Sequence, residues 1–350
     1  CQMAGDPPNA PVCGADRACR ACTQHSECAS EVCLPTGACA VAMDVAYVDG
    51  TGGTDAGTCA QGAACKTITT ALTKAKGIIK VTNTVNDQVT VLNRNVQIFA
   101  GTNSKLTSTS NGALFTTSGT SVVELYDLAI ADASGTSTGF GIQVGANTTV
   151  KMTRGKVSGC REAGITSSGG TVTVTGATVT ANNGGGVLVM NGVFKLDNNI
   201  ISSNGNGSAT GSDFGGVQLS SNMSGNSFTQ NTIVYNHQKA GAFGGPGVNC
   251  AVTGFAGARN IVSANDTGTV FATQTGGGCT YGDSFISAGS AANTLGFANI
   301  AGLDFHLTAA SPAGAGMVRD VPGVVCTGTK DIDGEARPKN GACDLGADEF

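Results

Sequence analysis

The chain has 350 residues and a net charge of −5, with 12% charged residues, 53 glycines, 14 cysteines and no tryptophan. The acidic balance argues against a nucleic-acid partner, and no run of eighteen apolar residues reads as a membrane-spanning helix. What remains is a fold of backbone and small side chains, and its many cysteines point to export into an oxidising compartment.

Residues 1–40 carry cysteine in place of a hydrophobic core. Cys13, Cys19, Cys22, Cys28, Cys33 and Cys39 crowd into 27 residues and predict a knot of three disulfides. Zinc at Cys19-x-x-Cys22 is the alternative, opposed by the absence of a second pair at zinc-ribbon spacing and by a solitary His25. Further along, proximity pairs Cys59 with Cys65, Cys250 with Cys279 and Cys326 with Cys343, which leaves Cys1 and Cys160 over. A cysteine at position 1, followed by a Pro-rich spacer over residues 5–11, is similar to the processed start of a bacterial lipoprotein. That resemblance implies a lipid on Cys1 as the chain's one attachment to a membrane; a bridge within or between chains is the competing reading.

Residues 41–77 read as the N-terminal cap of a repeat region. Tyr47-Val48-Asp49-Gly50, a Gly/Thr loop and Lys66-Thr67-Ile68 resemble the opening segment of many bacterial parallel β-helix proteins. Ile68, Ala71, Leu72 and Ala75 on one face predict a short capping helix over residues 66–76, ending at Gly77, that covers strand edges.

Over residues 78–309 two tracks of apolar residues share one period. Val150/Met152, Val172/Val174 and Phe194/Leu196 are 22 apart, and Val157, Val179 and Ile201 keep the same step. Phe228, Ile233 and Val262 continue with steps of 32, 32 and 29, while Val123/Leu125 and Ile130 precede by 27. A fixed period with tolerated insertions identifies a solenoid. Within each period the apolar residues alternate, as in Val172-Thr173-Val174, among Thr, Ser, Gly and Asn, so the elements are strands. Three short strands and three turns in about 22 residues describe one coil of a right-handed parallel β-helix. The fold class is therefore all-β, a parallel β-helix with a small disulfide-rich N-terminal segment and a short capping helix. Three residues beyond each Val157-type position stand Cys160, then Asn182, Asn204, Asn236 and Asn265, which predict a stacked amide ladder headed by a buried, inert thiol.

Catalytic constellations are absent from the coils. Glycosidases need two carboxylates across a cleft, and the acids here (Glu124, Asp127, Asp132, Glu162, Asp197, Asp213 and Asp266) do not form the acidic set of polygalacturonases. Arg154, Arg161 and Arg259 lack the neighbouring acidic cluster that pectate lyases use, and Arg161-Glu162 reads as a solvated pair. The insertions at 205–214 and 236–247 come after the ladder turn on successive coils and place Asp213, His237 and Lys239 as candidates for polar ligand recognition.

Residues 310–350 read as a C-terminal cap. Phe305-His306-Leu307, Ser311-Pro312-Ala313, Asp331-Ile332-Asp333-Gly334, Arg337-Pro338 and the run Asp344 to Glu349 resemble the closing segment of secreted bacterial β-helix proteins, including the choice-of-anchor Q group. The resemblance implies an exported surface protein and names no reaction. Asp331-x-Asp333-Gly334-Glu335, with Asp344, Asp348 and Glu349 close in sequence, offers hard oxygen ligands that suit calcium, against the alternative of a turn held by aspartate side chains. No other cofactor is expected.

A complete scaffold without catalytic residues points to a non-enzymatic extracellular or cell-surface protein. It is expected to be structural or adhesive, a filament or coat subunit stacking through its ends, with its own copies, other surface proteins or glycans as partners. The rival reading is a polysaccharide-binding or polysaccharide-cleaving β-helix of the lyase or glycosidase class.

Overall fold

A computed structural model describes residues 12–13, 19–132, 139–205, 214–239, 244–267, 271, 273–290, 292–326 and 328–350. Its frame is a parallel β-solenoid with one ten-, one nine- and one eight-stranded sheet, and successive coils add one strand to each. One coil shows the plan: Ile165–Ser168 lies in the eight-stranded sheet, Thr171–Thr175 in the ten-stranded sheet and Thr178–Thr180 in the nine-stranded sheet. Residues one period apart are direct partners: Val123, Val150, Val172 and Phe194 form one file, and Ile130, Val157, Val179, Ile201, Ile233 and Val262 another. These files point inward and build the main core. The solenoid expected from the 22-residue step is therefore the observed fold.

The corner between the ten- and nine-stranded sheets turns on one residue per coil in the left-handed region. Asp127, Arg154, Gly176, Asn198, Gln230, Arg259 and Asp283 stack there with φ of 48–63°. Beyond this corner, two columns of buried asparagines run along the solenoid. In the first, the amide and Nδ2 of Asn204 both donate to Asn236 Oδ1, at 3.0 and 2.9 Å, while Nδ2 also donates to Val179 O at 2.9 Å. Asn182 and Asn236 repeat the pattern, and Asn265 ends it on Gln274 Oε1. Cys160 heads the column: its amide donates to Asn182 Oδ1, and its thiol is unbridged, buried and pushed up to about 12 by desolvation. The second column, Asn199, Asn231 and Asn260, ends on Ser284 Oγ.

Helix Ile68–Leu72 is shorter than the span of 66–76 read from its apolar face. Thr67 caps it by accepting from Thr70 N, and the β-branched threonines and Ala75, with φ of 55°, end it early. The exposed edge of strand Val45–Asp49 is covered by the Cys59–Cys65 loop, since Tyr47 N donates to Cys59 O and Asp49 N to Cys65 O.

Two outward faces of the solenoid are apolar, and each is covered by an end of the chain. On the nine-stranded sheet, Ile200, Val234 and Ile261 point outward and form a second core with Leu295, Phe297, Phe305, Leu307, Val318 and Leu345. Residues 293–350 lie along this flank and reach back to Asn198, which accepts from Arg337 Nη2 at 3.2 Å. At the other end of the ten-stranded sheet, Val45, Tyr47 and Phe99 pack outward against Val32 and Ala40 of the cysteine-rich segment.

Candidate functional site

Strand alternation puts Tyr47, Lys80, Phe99, Tyr126 and Thr153 in one outward file across the first coils of the ten-stranded sheet. The cysteine-rich segment folds over this file and is fixed by Cys22–Cys33 and Cys28–Cys39. Tyr47 Oη donates to Ser30 O at 2.9 Å, and Gln61 Nε2 to Ala29 O at 2.8 Å, tying the segment down. Between it, the sheet and the 330–334 stretch of the C-terminal segment lies a cleft of about 1480 Å³. Two parts of the chain some three hundred residues apart in sequence thus wall one space.

An aromatic stack lines its floor. Phe99 and Tyr126 lie nearly parallel with centroids 4.6 Å apart, and His25 meets Phe99 edge-on at 5.6 Å. Glu124 orients Tyr126 by accepting from its hydroxyl at 2.9 Å, and also accepts from Gln97 and Lys151 at 2.7 and 2.8 Å. Burial and this carboxylate push the Tyr126 phenol up to about 12. At the corner, Arg154 grips Asp127 through two hydrogen bonds of 2.8 and 2.9 Å. Cys33 N donates to His25 Nδ1 at 3.0 Å, which makes Nε2 the protonated nitrogen and directs it to Asp127 Oδ2, 3.7 Å away. Burial pushes the Asp127 carboxyl up, but the nearby His25 imidazole and the Arg154 hydrogen bonds outweigh it and hold the acid below its ordinary range.

Lys80 differs from its neighbours. It is 3% exposed and lines the cleft, yet among the described residues its ammonium has no hydrogen bond and no ion pair. Desolvation lowers its pKa, opposed only through space by Glu31 and Asp127.

The residues singled out in the sequence fall elsewhere. Asn182, Asn204, Asn236 and Asn265 are spent on the ladder. His237 Nδ1 lies 2.8 Å from Asp266 Oδ1, and Lys239 is exposed, both remote from the residues that line the cleft. Asp213 and Cys1 lie outside the described residues. Cys13 and Cys19 oppose each other in a two-strand ladder, and their side chains are outside the description. Cys59–Cys65, Cys250–Cys279 and Cys326–Cys343 are disulfides. Cys22 is bridged to Cys33, so the thiolate pair that zinc would need at Cys19-x-x-Cys22 is not available. The stretch Asp331-x-Asp333-Gly334-Glu335, read as a calcium candidate, has its side chains in a turn. Asp331 accepts from the amides of Asp333, Glu335 and Glu349, while Glu335 pairs with Lys339, which is the aspartate-held turn. Asp197, lone in sequence, accepts from the hydroxyls of Ser227 and Thr229, both at 2.6 Å.

Sequence reasoning missed Lys80, Tyr126, Asp127 and Arg154 as a group. Their signal was available: in the later coils the same outward file reads Thr175, Asp197 and Thr229, so aromatics at Tyr47, Phe99 and Tyr126 mark a covered stretch of sheet.

The fold and site define the chain as a parallel β-solenoid with a roofed cleft on its longest sheet. No family model matches the chain, and no curated protein matches it. Among solved structures, the crystal structure of pectate lyase Pel9A aligns at 13% identity with a TM-score of 0.36, over 87% of this chain and 96% of that one.

Proposed function

We propose that this protein works outside the cytosol as a binding scaffold whose cleft receives an acidic polysaccharide. The observation that carries the reading is Lys80: a largely buried lysine whose ammonium meets the cleft without a protein partner is poorly solvated, and an anionic ligand group entering the cleft would satisfy it. The surroundings suit a sugar polymer. Tyr126 offers a ring with its hydroxyl fixed, and the sheet continues from Thr153 into rows of Thr173, Thr175, Lys195, Ser227 and Thr229. These rows recur at the ~4.8 Å strand spacing, so a linear ligand laid across the strands meets a hydroxyl or the Lys195 ammonium at successive coils, beside one carboxylate, Asp197, that the Ser227 and Thr229 hydroxyls hold. Five disulfides among the described residues support an oxidising location, and no helix there is long and apolar enough to cross a membrane. Adhesion to a surface glycan would be one use of such a scaffold.

The test is calorimetric titration with uronate and with neutral oligosaccharides of matched length. Acidic ligands should bind, neutral ones should not, and Lys80→Met should weaken binding roughly 10- to 100-fold, the worth of one charge-assisted hydrogen bond. Equal affinity for both ligand types, or an unchanged Lys80→Met protein, sinks the reading.

A second reading rests on the direction of the Lys80 titration. A desolvated amine can take a proton as well as bind an anion, and abstraction beside a uronate carboxyl would cleave the chain by elimination. Unsaturated product absorbing in the ultraviolet, lost in Lys80→Met, would favour a lyase over a binding protein.

A further inference from the structure

Outside the cleft floor, one imidazole nitrogen and two carboxylates converge. His306 Nδ1 lies 2.6 Å from Asp304 Oδ1, and because a carboxylate only accepts, Nδ1 carries a proton, which leaves Nε2 as the nitrogen that can hold either a second proton or a metal ion. Nε2 points to Asp333 Oδ2 at 3.3 Å, and a ligand oxygen of Asp348 lies within 4.8 Å of both. Asp348 is 5% exposed; one oxygen accepts from Leu307 N at 2.6 Å, and the other has no partner among the described residues. An imidazole nitrogen and two carboxylate oxygens facing each other call for a positive centre between them, which a second proton on Nε2 or a metal ion would supply.

We infer that His306, Asp333 and Asp348 form a site for a zinc-type divalent cation, with Asp304 as the outer carboxylate that orients the imidazole. One imidazole nitrogen, two carboxylate oxygens and an open position for water make the donor set of a four-coordinate zinc ion, whereas calcium and magnesium seek more oxygens and no imidazole. A carboxylate hydrogen-bonded to the far nitrogen of a metal-binding histidine is the usual second layer of such sites. The three ligands come from separate stretches of the C-terminal segment, so the ion would fasten them together. Asp333 also lines the cleft, which makes the ion a brace for that wall.

The test is equilibrium dialysis of the disulfide-intact, chelator-treated protein against zinc chloride, with bound metal read by mass spectrometry and calcium chloride run in parallel. A single zinc equivalent is expected, removed by His306→Gln and by Asp333→Asn. The Asp333 side chain is 59% exposed, so the second variant keeps the fold and separates metal loss from misfolding. Asp304→Asn should retain the site with roughly 10- to 100-fold weaker affinity. No retained zinc, an equivalent that survives both ligand substitutions, or equal affinity for calcium would mean that a proton alone bridges these groups, and would overturn the inference.

Discussion

At the residue scale the cleft holds two charged groups with opposite consequences for stability. Lys80 has a folded pKa below that of an unfolded lysine, about 10.4, so the unfolded chain binds more protons across that interval. Stability therefore rises with pH through that window, and the penalty at neutral pH is the unfavourable ammonium. Lys80→Met should stabilise the protein at pH 7 by about 1–3 kcal/mol and flatten this alkaline rise, as read by denaturant unfolding across pH. Asp127 runs the other way. Its folded pKa lies below the unfolded value of about 3.9, so its contribution is present above that pH and is lost as pH falls through the folded value. Asp127→Asn should flatten the acid limb of the thermal melting profile; an acid limb of unchanged steepness would assign the loss to other carboxylates.

At the scale of the element, the asparagine columns decide how a coil docks on the next. Asn231 Oδ1 accepts from both the amide and Nδ2 of Asn199, at 3.1 and 3.0 Å, in a site closed to water. Asn231→Ala strands two buried donors and should cost about 3 kcal/mol or more by chemical denaturation. Asn231→Asp keeps the acceptor but loses the donations to Leu196 O and Asn260 Oδ1, so it should not rescue.

The first column was legible in the sequence because Asn182, Asn204, Asn236 and Asn265 keep a strict apolar step. The second was hidden for a local reason: Ala177 fills that place in an earlier coil, and Asn199 sits in an Asn198-Asn199 pair whose members have different jobs. The strand files were readable because each coil repeats what its neighbour does. The cleft was not, because its roof and far wall come from opposite ends of the chain and share no period with its floor.

At the scale of the molecule, both ends of the chain serve as covers for apolar sheet faces. The cysteine-rich roof has little apolar mass, and its two bridges each span 11 residues. Each contributes about 3 kcal/mol in a chain-entropy account. Gentle reduction should therefore release residues 20–40 to protease while the coils resist, and ligand binding should fall without loss of the β-sheet circular dichroism signal. Simultaneous loss of both signals would show that roof and solenoid unfold as one unit.

The C-terminal wall takes hold of the solenoid at Asn198, whereas the roof and floor end near Arg154. A single uninterrupted coil, carrying Thr171–Thr175 and Thr178–Thr180, lies between those two stations. The gap between the walls is thus gauged in whole coils, and it cannot be adjusted by less than one strand spacing. Duplicating residues 172–193 repeats every file in register and would move the walls apart by ~4.8 Å. A protein so lengthened should melt much as before yet favour a longer acidic oligosaccharide, so the coil count would set the size of ligand that the two walls can share.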